Sequence, residues 1–285
     1  MNQLSNSDRT RIVSCLVEGN SIRATCRMTG AAKGTVLRLL ADMGKVCTEY
    51  HDEHVRNVPS RRVQCDEIWN FCYAKAKNVT LEQKADGAGD VWTWTAIDAD
   101  SKLVISYLCG GRDASWASSF MEDLASRVST RVQITTDGHR AYAQAVEGAF
   151  GMDVDYAMLI KLYGAPANFD TRYSPSECIG TQAAVMAGNP DPIHVSTSYV
   201  ERQNLTMRMQ MRRFTRLTNA FSKKFENLEA AVALHFMYYN FCRTHQTLRV
   251  TPAMEAGIAH HVWTISELVG LVEKRSVLHG LKQAA

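Results

Sequence analysis

Apolar residues near the start of the chain recur at helical spacing and predict three short helices. The first apolar stripe spans residues 12–17 and stops at Gly19. Ser21 is a favourable N-cap for the second helix. Gly30 suits the following turn because glycine adopts a left-handed backbone without steric cost. The buried face of the third helix is predicted to consist of Val36, Leu39 and Leu40.

The pattern changes after residue 62 to runs of β-branched and aromatic residues, which indicate strands. Strands are predicted over 63–73, 91–97, 103–108 and 132–136, with helices over 114–128 and 139–150. Three antiparallel strands, a helix, a strand and a helix is the order of a ribonuclease-H-like domain. This α/β fold has a mixed sheet flanked by helices. In it the first strand lies beside the end of the fourth.

These elements divide the chain into an N-terminal all-α helix-turn-helix domain, a linker, a catalytic domain and a tail. The predicted bounds are 1–43 for the helix-turn-helix domain, 44–62 for the linker, 63–257 for the catalytic domain and 258–285 for a C-terminal helical tail. The linker is expected to be partly helical around 46–55. An insertion at 154–194 contains four prolines and is predicted to have little regular structure. A helix around 228–242 is predicted to pack in the core.

The distribution of charge suggests a polyanionic partner. The net charge is only +3, yet residues 1–43 hold six basic and three acidic residues. Residues 202–224 hold seven basic residues and no acid. Two separate basic elements on an otherwise neutral chain are typical of nucleic-acid binding.

Composition argues against a membrane span and a zinc module. No apolar run approaches the roughly eighteen residues needed to cross a bilayer, and the first residues do not resemble a signal peptide. We therefore expect a cytoplasmic protein that is nucleoid-associated when bound to DNA, with no membrane partner. None of the eight cysteines pairs with another at C-x-x-C spacing, so buried, reduced thiols are expected.

Residues 21–40 resemble a helix-turn-helix. The third helix would enter the major groove of double-stranded DNA, with Lys33, Thr35 and Arg38 near bases and phosphates. The alternative is a three-helix bundle that only packs against the rest of the protein. The segment alone leaves both interpretations open.

Three carboxylates are candidates for a metal site. Asp66 is the most informative, because an acid inside an apolar strand opposes both strand propensity and burial. Asp137 follows the fourth strand, although an Asp-Gly pair is also a common turn. Glu201 lies in the first turns of a helix predicted to run from 199 to 216, capped by residues 196–198, just ahead of the basic run. Glu177 is the alternative to Glu201. Carboxylate oxygens are the ligands preferred by hard divalent cations.

Three segments resemble the acidic motifs of bacterial insertion-sequence transposases of the DDE type, and most closely the insertion-sequence-one family. They are Gln64–Trp69, Thr135–His139 and Tyr199–Thr206, and the similarity continues in Arg213–Lys224 and Tyr239–His245. The resemblance covers about residues 21–257. One departure is that family members often carry a cysteine-rich zinc module before the helix-turn-helix, which this sequence lacks.

The resemblance implies a DNA transposase that binds transposon ends, cleaves their 3′ ends and joins them to target DNA. Two Mg²⁺ ions, for which Mn²⁺ could substitute, would be held by Asp66, Asp137 and Glu201. Pairing of two DNA ends implies a homo-oligomer. The phosphates would be held by Arg202, Arg208, Arg212 and Arg213. Asn204, His139 and His245 are candidates for orienting the acids, and Asn204 would act on Glu201 or on a phosphate.

Two alternatives remain open from the sequence. The chain could be a catalytically inactive, domesticated transposase that acts as a DNA-binding regulator. It could also be a metal-dependent nuclease without strand transfer. The helix-turn-helix argues against the nuclease, because such an element suits sites in duplex DNA.

Overall fold

The computed structural model describes residues 4–164, 178–215 and 218–284, the last helix by its backbone alone beyond residue 275. The helices are α1 Asn6–Val17, α2 Ile22–Thr29, α3 Lys33–His54, α4 Leu81–Ala85, α5 Ala114–Arg127, α6 Ala141–Phe150, α7 Ser198–Gln210, α8 Phe225–Met237, α9 Pro252–Glu255 and α10 Ile265–Ala284. The strands are β1 Arg62–Cys72, β2 Gly89–Asp98, β3 Val104–Gly110, β4 Val132–Asp137, β5 Val154–Tyr163 and β6 Cys178–Ala187.

The strands form one mixed sheet in the order β3-β2-β1-β4-β5-β6. β1 is parallel to β4 and β4 is parallel to β5, whereas the remaining neighbours are antiparallel. The pairing of β1 with β4 ends at Cys65 and Thr136. The predicted α/β class and the predicted adjacency of the first and fourth strands are therefore confirmed. One further residue along each strand brings Asp66 beside Asp137.

Helices cover both faces of this sheet. Successive strand residues point to opposite faces, so Gln64 and Glu67, which are three residues apart on β1, lie on opposite faces of the sheet. Gln64 contacts the start of α7, whereas Glu67 contacts Tyr142 of α6. On the α6 face, the fully buried Trp94 packs edge-on against Tyr142, with ring centroids 5.3 Å apart.

The predicted insertion contains regular structure, and the expectation of little structure there was wrong. Residues 154–163 form β5, which extends the sheet beyond β4, and residues 178–187 form β6 at its edge. Pro190 and Pro192 misled the prediction, because they follow β6 and do not interrupt a strand. Residues 165–177, and with them Glu177, lie outside the described residues.

The third N-terminal helix is longer than predicted and passes through the expected domain boundary at residue 43. Its apolar stripe continues from Val36 through Met43 to Cys47, all fully buried. The helix packs on α8, where Gly44 lies so close to Ala230 that an added β-carbon would be 2.4 Å from its β-carbon. Residues 46–54 are helical as expected, and Val46, Cys47 and His51 of this stretch are buried in the core.

The local signals predicted for the N-terminal helices are confirmed. The Ser21 hydroxyl accepts a hydrogen bond from the backbone N–H of Ala24 at 3.1 Å, and Gly30 has a φ of 74°. The C-terminal helix α10 packs on the same helices: Arg9 of α1 pairs with Glu273 at 3.3 Å. The N-terminal helices and the tail therefore share a core with the sheet domain.

The cysteines are free thiols, but only some of them are buried. Cys47, Cys65, Cys72 and Cys109 are buried, whereas Cys178 on β6 is exposed. All eight are free thiols, and the expectation of burial holds for only part of the set.

Among the described residues, none of the helices combines the length and apolar character required of a membrane span.

Candidate active site

Asp66, Glu67 and Asp137 form a cluster of carboxylates where β1 and β4 meet. Each offers one oxygen, and these oxygens lie within 4.8 Å of one another. The cluster exists because parallel pairing brings the middle of β1 beside the end of β4. The two aspartates are the pair that the sequence predicts, whereas Glu67 was not singled out.

Asp66 is held by two hydrogen bonds. Its Oδ1 accepts from the backbone N–H of Glu67 at 2.8 Å, and its Oδ2 accepts from the Asn204 side-chain amide at 2.8 Å. Burial raises the pKa of Asp66 to about 7, helped by the nearby charges of Glu67, Asp137 and, more weakly, Glu201. The described contact of Asn204 is therefore with Asp66, whereas the sequence analysis had expected it to act on Glu201 or on a phosphate.

Glu67 is already partnered by protein groups. Its side chain is fully buried, accepts from Arg112 Nε at 2.6 Å and accepts from the Tyr142 hydroxyl at 2.9 Å. Burial and the charge of Asp137 still raise the pKa of Glu67. A buried charge that is paired and hydrogen-bonded is suited to fixing local structure. Glu67 is thus occupied by protein groups, and Asp66 and Asp137 are the more accessible acids of the cluster.

Asp137 is held at the turn that follows β4. Its Oδ1 accepts a hydrogen bond from the backbone N–H of His139 at 2.9 Å. The His139 ring contacts the Arg112 carbonyl at 3.2 Å. His139 therefore does contact an acid of the cluster, although through its backbone and not through the imidazole that the sequence analysis considered.

Glu201 lies in the first turn of α7, and its charge contributes to the raised pKa of Asp66. Its Oε1 accepts from the Thr197 hydroxyl and lies 2.6 Å from the Lys161 ammonium. Its side chain is 38% exposed. Lys161 belongs to β5, the strand missed by the sequence analysis. Glu201 is thus close to the cluster but paired with a protein cation.

The start of α7 is capped in part as predicted. The Ser196 hydroxyl accepts from the backbone N–H of Ser198 at 3.2 Å, whereas Thr197 makes no side-chain cap. In addition, Gln64 Oε1 accepts from the backbone N–H of Tyr199 at 2.7 Å and of Val200 at 3.2 Å. Because Gln64 is two residues before Asp66 on β1, this cap fixes α7 relative to the cluster.

The predicted helix from 199 to 216 ends early. α7 stops at Gln210, Met211 is extended, and Arg212 begins a short 3₁₀ turn. The chain bends there because Met211 and Phe214 are both buried. Arg202 and Arg208 therefore share a helix with Glu201, whereas Arg212 and Arg213 do not.

A basic groove lies between the N-terminal helices and residues 212–227. Its volume is about 810 Å³. Its basic side chains are Arg23, Lys33, Arg212, Arg213, Lys223 and Lys224. Arg38 is exposed on α3 and Thr35 is half-buried, and neither lines this groove. One surface therefore combines Lys33 of the predicted recognition helix with part of the downstream basic run.

His245 and Arg202 lie in a second cavity of about 320 Å³ beside α7. Lys102 and Arg243 also line it. Burial and these two cations lower the pKa of His245. His245 thus belongs to a cationic cavity, and no contact of its ring with the three clustered acids is among those described.

The donors of the cluster fit a hard divalent cation. All are carboxylate oxygens, and two like charges, Asp66 and Asp137, face each other in a largely buried place. Such an arrangement is costly unless a cation or a proton compensates it. Asp66 and Asp137 could hold the ion, and Glu201 could join them on release from Lys161.

The solved structures that are similar to this chain include structures of transposases. The chain is similar to the Mos1 transposase in its paired-end complex with the left transposon end, at 13% identity and a TM-score of 0.24 over 55% of this chain and 60% of that chain. It is also similar to the piggyBac transposase in its synaptic complex with hairpin DNA, at 9% identity and a TM-score of 0.39 over 96% of this chain and 74% of that chain. A third is the Mos1 strand transfer complex, at 11% identity and a TM-score of 0.24 over 84% of this chain and 78% of that chain.

The chain spans 60% of the length of the first of these neighbours. No protein-family model matches the chain. No curated protein matches it either. At these identities and TM-scores, the function has to be inferred from the residues of the chain itself.

Proposed function

We propose that this protein is a DNA transposase of the DDE type, belonging to the insertion-sequence-one family of bacteria. It would cleave the 3′ ends of a transposon and join them to target DNA. The observation that carries the proposal is the meeting of Asp66 and Asp137 across β1 and β4, with Glu201 on the helix that Gln64 caps. The three acids lie in the three motifs that resemble this family.

Asp66, Asp137 and Glu201 would together hold two Mg²⁺ or Mn²⁺ ions. When bound, these ions lower the pKa of an attacking hydroxyl and stabilise the leaving oxygen of a phosphodiester. Asn204 would keep the Asp66 carboxylate turned towards the site, and the His139 amide would do the same for Asp137. Glu201 would have to exchange Lys161 for the ion, which frees the ammonium to contact a phosphate.

Double-stranded DNA would be held by basic side chains on both sides of the acids. Lys33, Thr35 and Arg38 would contact one DNA segment through a helix-turn-helix, and the basic groove would continue that contact. Arg202 and Arg208 would hold phosphates beside Glu201. Affinity that depends on several such contacts falls steeply with salt. Joining of two ends would require a homo-oligomer, and we expect the protein to act in the cytoplasm, at the nucleoid.

The test uses purified protein, Mg²⁺ or Mn²⁺ and labelled DNA from the flanks of its own gene. Wild type should produce metal-dependent 3′-end cleavage and joined molecules, and Asp137→Asn should abolish both. Asp153→Asn is the matched control, because Asp153 is an exposed aspartate at a distance from the cluster.

Each remaining outcome would change the assignment. Tight binding without cleavage by either protein would indicate the regulator. Cleavage without joined products would indicate the nuclease. Equal cleavage by wild type and Asp137→Asn would show that this carboxylate has been wrongly assigned.

A further inference from the structure

Partly exposed aromatic rings continue along the sheet beyond the acidic cluster. We call them the aromatic strip; its members are Trp69, Phe71, Tyr73, Trp92 and Phe221. Trp69 and Trp92 pair directly across β1 and β2 and so share a face of the sheet. The rings of Trp69 and Phe71 are 5.7 Å apart, and those of Phe71 and Phe221 are 4.8 Å apart.

The strip differs from the core on the same face. Trp94 is two residues from Trp92 and is fully buried beneath α6. Trp69, Phe71, Trp92 and Phe221 are only half-buried, and Tyr73 is 44% exposed. β1 continues to Cys72 although its pairing with β4 ends at Cys65, so β4 does not flank this part of β1.

Cations lie over the rings of the strip. The Arg112 guanidinium is 4.4 Å from the Trp92 ring, Lys223 is 4.1 Å from Phe221, and Lys75 is 5.4 Å from Trp69. Both lysines are exposed, and the Arg112 side chain is 39% exposed. The surface therefore alternates rings with cations, in the way that bases alternate with phosphates along a nucleic-acid strand.

The backbone at the far end of the strip is strained. Tyr73 has a φ of 63°, a left-handed conformation that bulky residues rarely adopt. It is held there by a hydrogen bond from its backbone N–H to the Ser222 carbonyl at 2.8 Å. The bond brings Lys223 within 5.4 Å of the Tyr73 ring. Strain of this kind persists where the surrounding structure fixes it, and often at binding sites.

The strip begins beside Glu67 of the acidic cluster. Arg112 donates a hydrogen bond to Glu67, and its guanidinium lies over the Trp92 ring. Because side chains alternate along a strand, Trp69 and Phe71 share the face of Glu67, whereas Asp66 lies on the opposite face with Gln64. Arg112 and Glu67 therefore connect the strip to the cluster across the edge of the sheet.

We propose that the aromatic strip binds unpaired bases of a DNA strand by stacking, while Arg112, Lys75 and Lys223 contact its phosphates. Bases inside a duplex have their faces covered by neighbours, so the occupant is a single-stranded or splayed stretch of DNA. Stacking on aromatic rings tolerates any sequence, because every base has a π-face. The inference rests on the proposed function only in the identity of the DNA strand that the aromatic strip binds.

The experiment compares two fluorescent oligonucleotides binding to the full-length protein in EDTA. One is a short oligothymidine and the other an abasic strand of equal length, which keeps the phosphates but has no bases. Wild type should bind oligothymidine about tenfold more tightly than the abasic strand, as expected for stacking of one or two bases. Trp69→Leu should remove that preference, and Trp69→Phe should retain most of it.

Lys75→Glu should weaken binding of both strands, whereas Lys77→Glu, an exposed lysine of the same loop, is the matched control. Quenching of tryptophan fluorescence by oligothymidine should be reduced in Trp69→Phe, and thermal denaturation would establish that the variants are folded. Equal affinity of wild type for the two strands would overturn the inference, as would an unchanged preference in folded Trp69→Leu.

Cleavage assays separate this inference from the proposed function. Suppose that the protein binds bases through Trp69 but never cleaves DNA with Mg²⁺. That result would support the inference about the aromatic strip and refute the proposed transposase function. Metal-dependent cleavage without base-dependent binding would do the reverse.

Discussion

Two neighbours orient the aspartates of the candidate site at the scale of single residues. The His139 amide holds Asp137, and the Asn204 side chain holds Asp66. Groups that orient a metal ligand matter nearly as much as the ligand, because they fix the direction of its lone pairs. Asn204 is the more informative of the two, since its contact depends on a replaceable side chain.

We expect Asn204→Ala to lower metal-dependent DNA cleavage by about 10- to 100-fold, the range seen when such supporting residues are removed. DNA binding in EDTA should change little, because the phosphate contacts remain. Titration of cleavage against Mn²⁺ concentration would show whether the loss lies in metal affinity. Thr206→Ala provides the control, because Thr206 is a half-buried residue of the same helix whose hydroxyl donates only to the Arg202 carbonyl among its described contacts. Unchanged cleavage by folded Asn204→Ala would refute the role.

The sequence predicted the clustered acids Asp66 and Asp137 better than the groups that contact the cluster. Asp66 could be recognised because an acid in an apolar strand needs an explanation. Glu67 could not be recognised in this way, because Asp66 already accounted for the acidic motif. Nothing in the local pattern pointed to its partners Arg112 and Tyr142, which are distant in sequence. Lys161 was missed because its strand had been interpreted as an irregular insertion. Contacts between distant segments are set by tertiary packing, which periodicity does not encode.

At the scale of elements, the contact between α3 and α8 joins the N-terminal helices to the rest of the chain. Gly44 permits this contact, because any side chain there would meet the backbone and the β-carbon of Ala230. The sequence alone could reveal the continuing apolar stripe of α3, but not that a glycine inside it marks a helix crossing.

Gly44→Ala should therefore destabilise the protein, by about 1–3 kcal/mol, as overpacking of a core does. This loss opposes the gain of up to about 1 kcal/mol that alanine brings to a helix interior. Gly34→Ala is the matched control within α3, since no atom lies within 4 Å of its added β-carbon. Urea denaturation should show a loss for the first variant and a small gain or no change for the second. Equal effects would contradict the close packing.

At the scale of the whole molecule, two buried histidines make stability depend on pH. Burial lowers the pKa of His51 to about 4, with a further contribution from Arg127. Burial lowers the pKa of His235 to about 3, with a smaller contribution from Arg243. In the unfolded chain a histidine has a pKa near 6.5. Between these values the unfolded state binds more protons, so acid favours unfolding.

The stability that the two neutral histidines contribute should accordingly be complete above about pH 6.5 and fall as the pH decreases towards 4, whereas the raised pKa of Asp66 acts in the opposite direction over the same range. Each histidine contributes up to about 1.4 kcal/mol per pH unit within that window. The free energy of unfolding at pH 7.5 and pH 5.5 measures the effect. His235→Gln should show a smaller difference than wild type, whereas replacement of the exposed His260 by Gln should leave the difference unchanged. Equal differences for wild type and His235→Gln would contradict the assignment.

The sheet was the part of the whole fold that the sequence predicted most completely. Four strands and their order follow from alternation and apolar runs. Helix α3 continues through the predicted division at residue 43, because a change in composition does not require a break in a helix. The continuous core of N-terminal helices, sheet and tail depends on α1, α3, α8 and α10 meeting in space, and these meetings are long-range.

The unbroken run of α3 has a consequence for where a transposase built in this way would cut. A helix of 22 residues measures about 33 Å, close to one turn of duplex DNA. Its first turn carries Lys33, while its later turns are embedded in the body that holds the acids. The length of α3 would then set the distance between the recognised sequence and the cleaved bond. Because this helix is continuous, that distance would vary little from one DNA end to another.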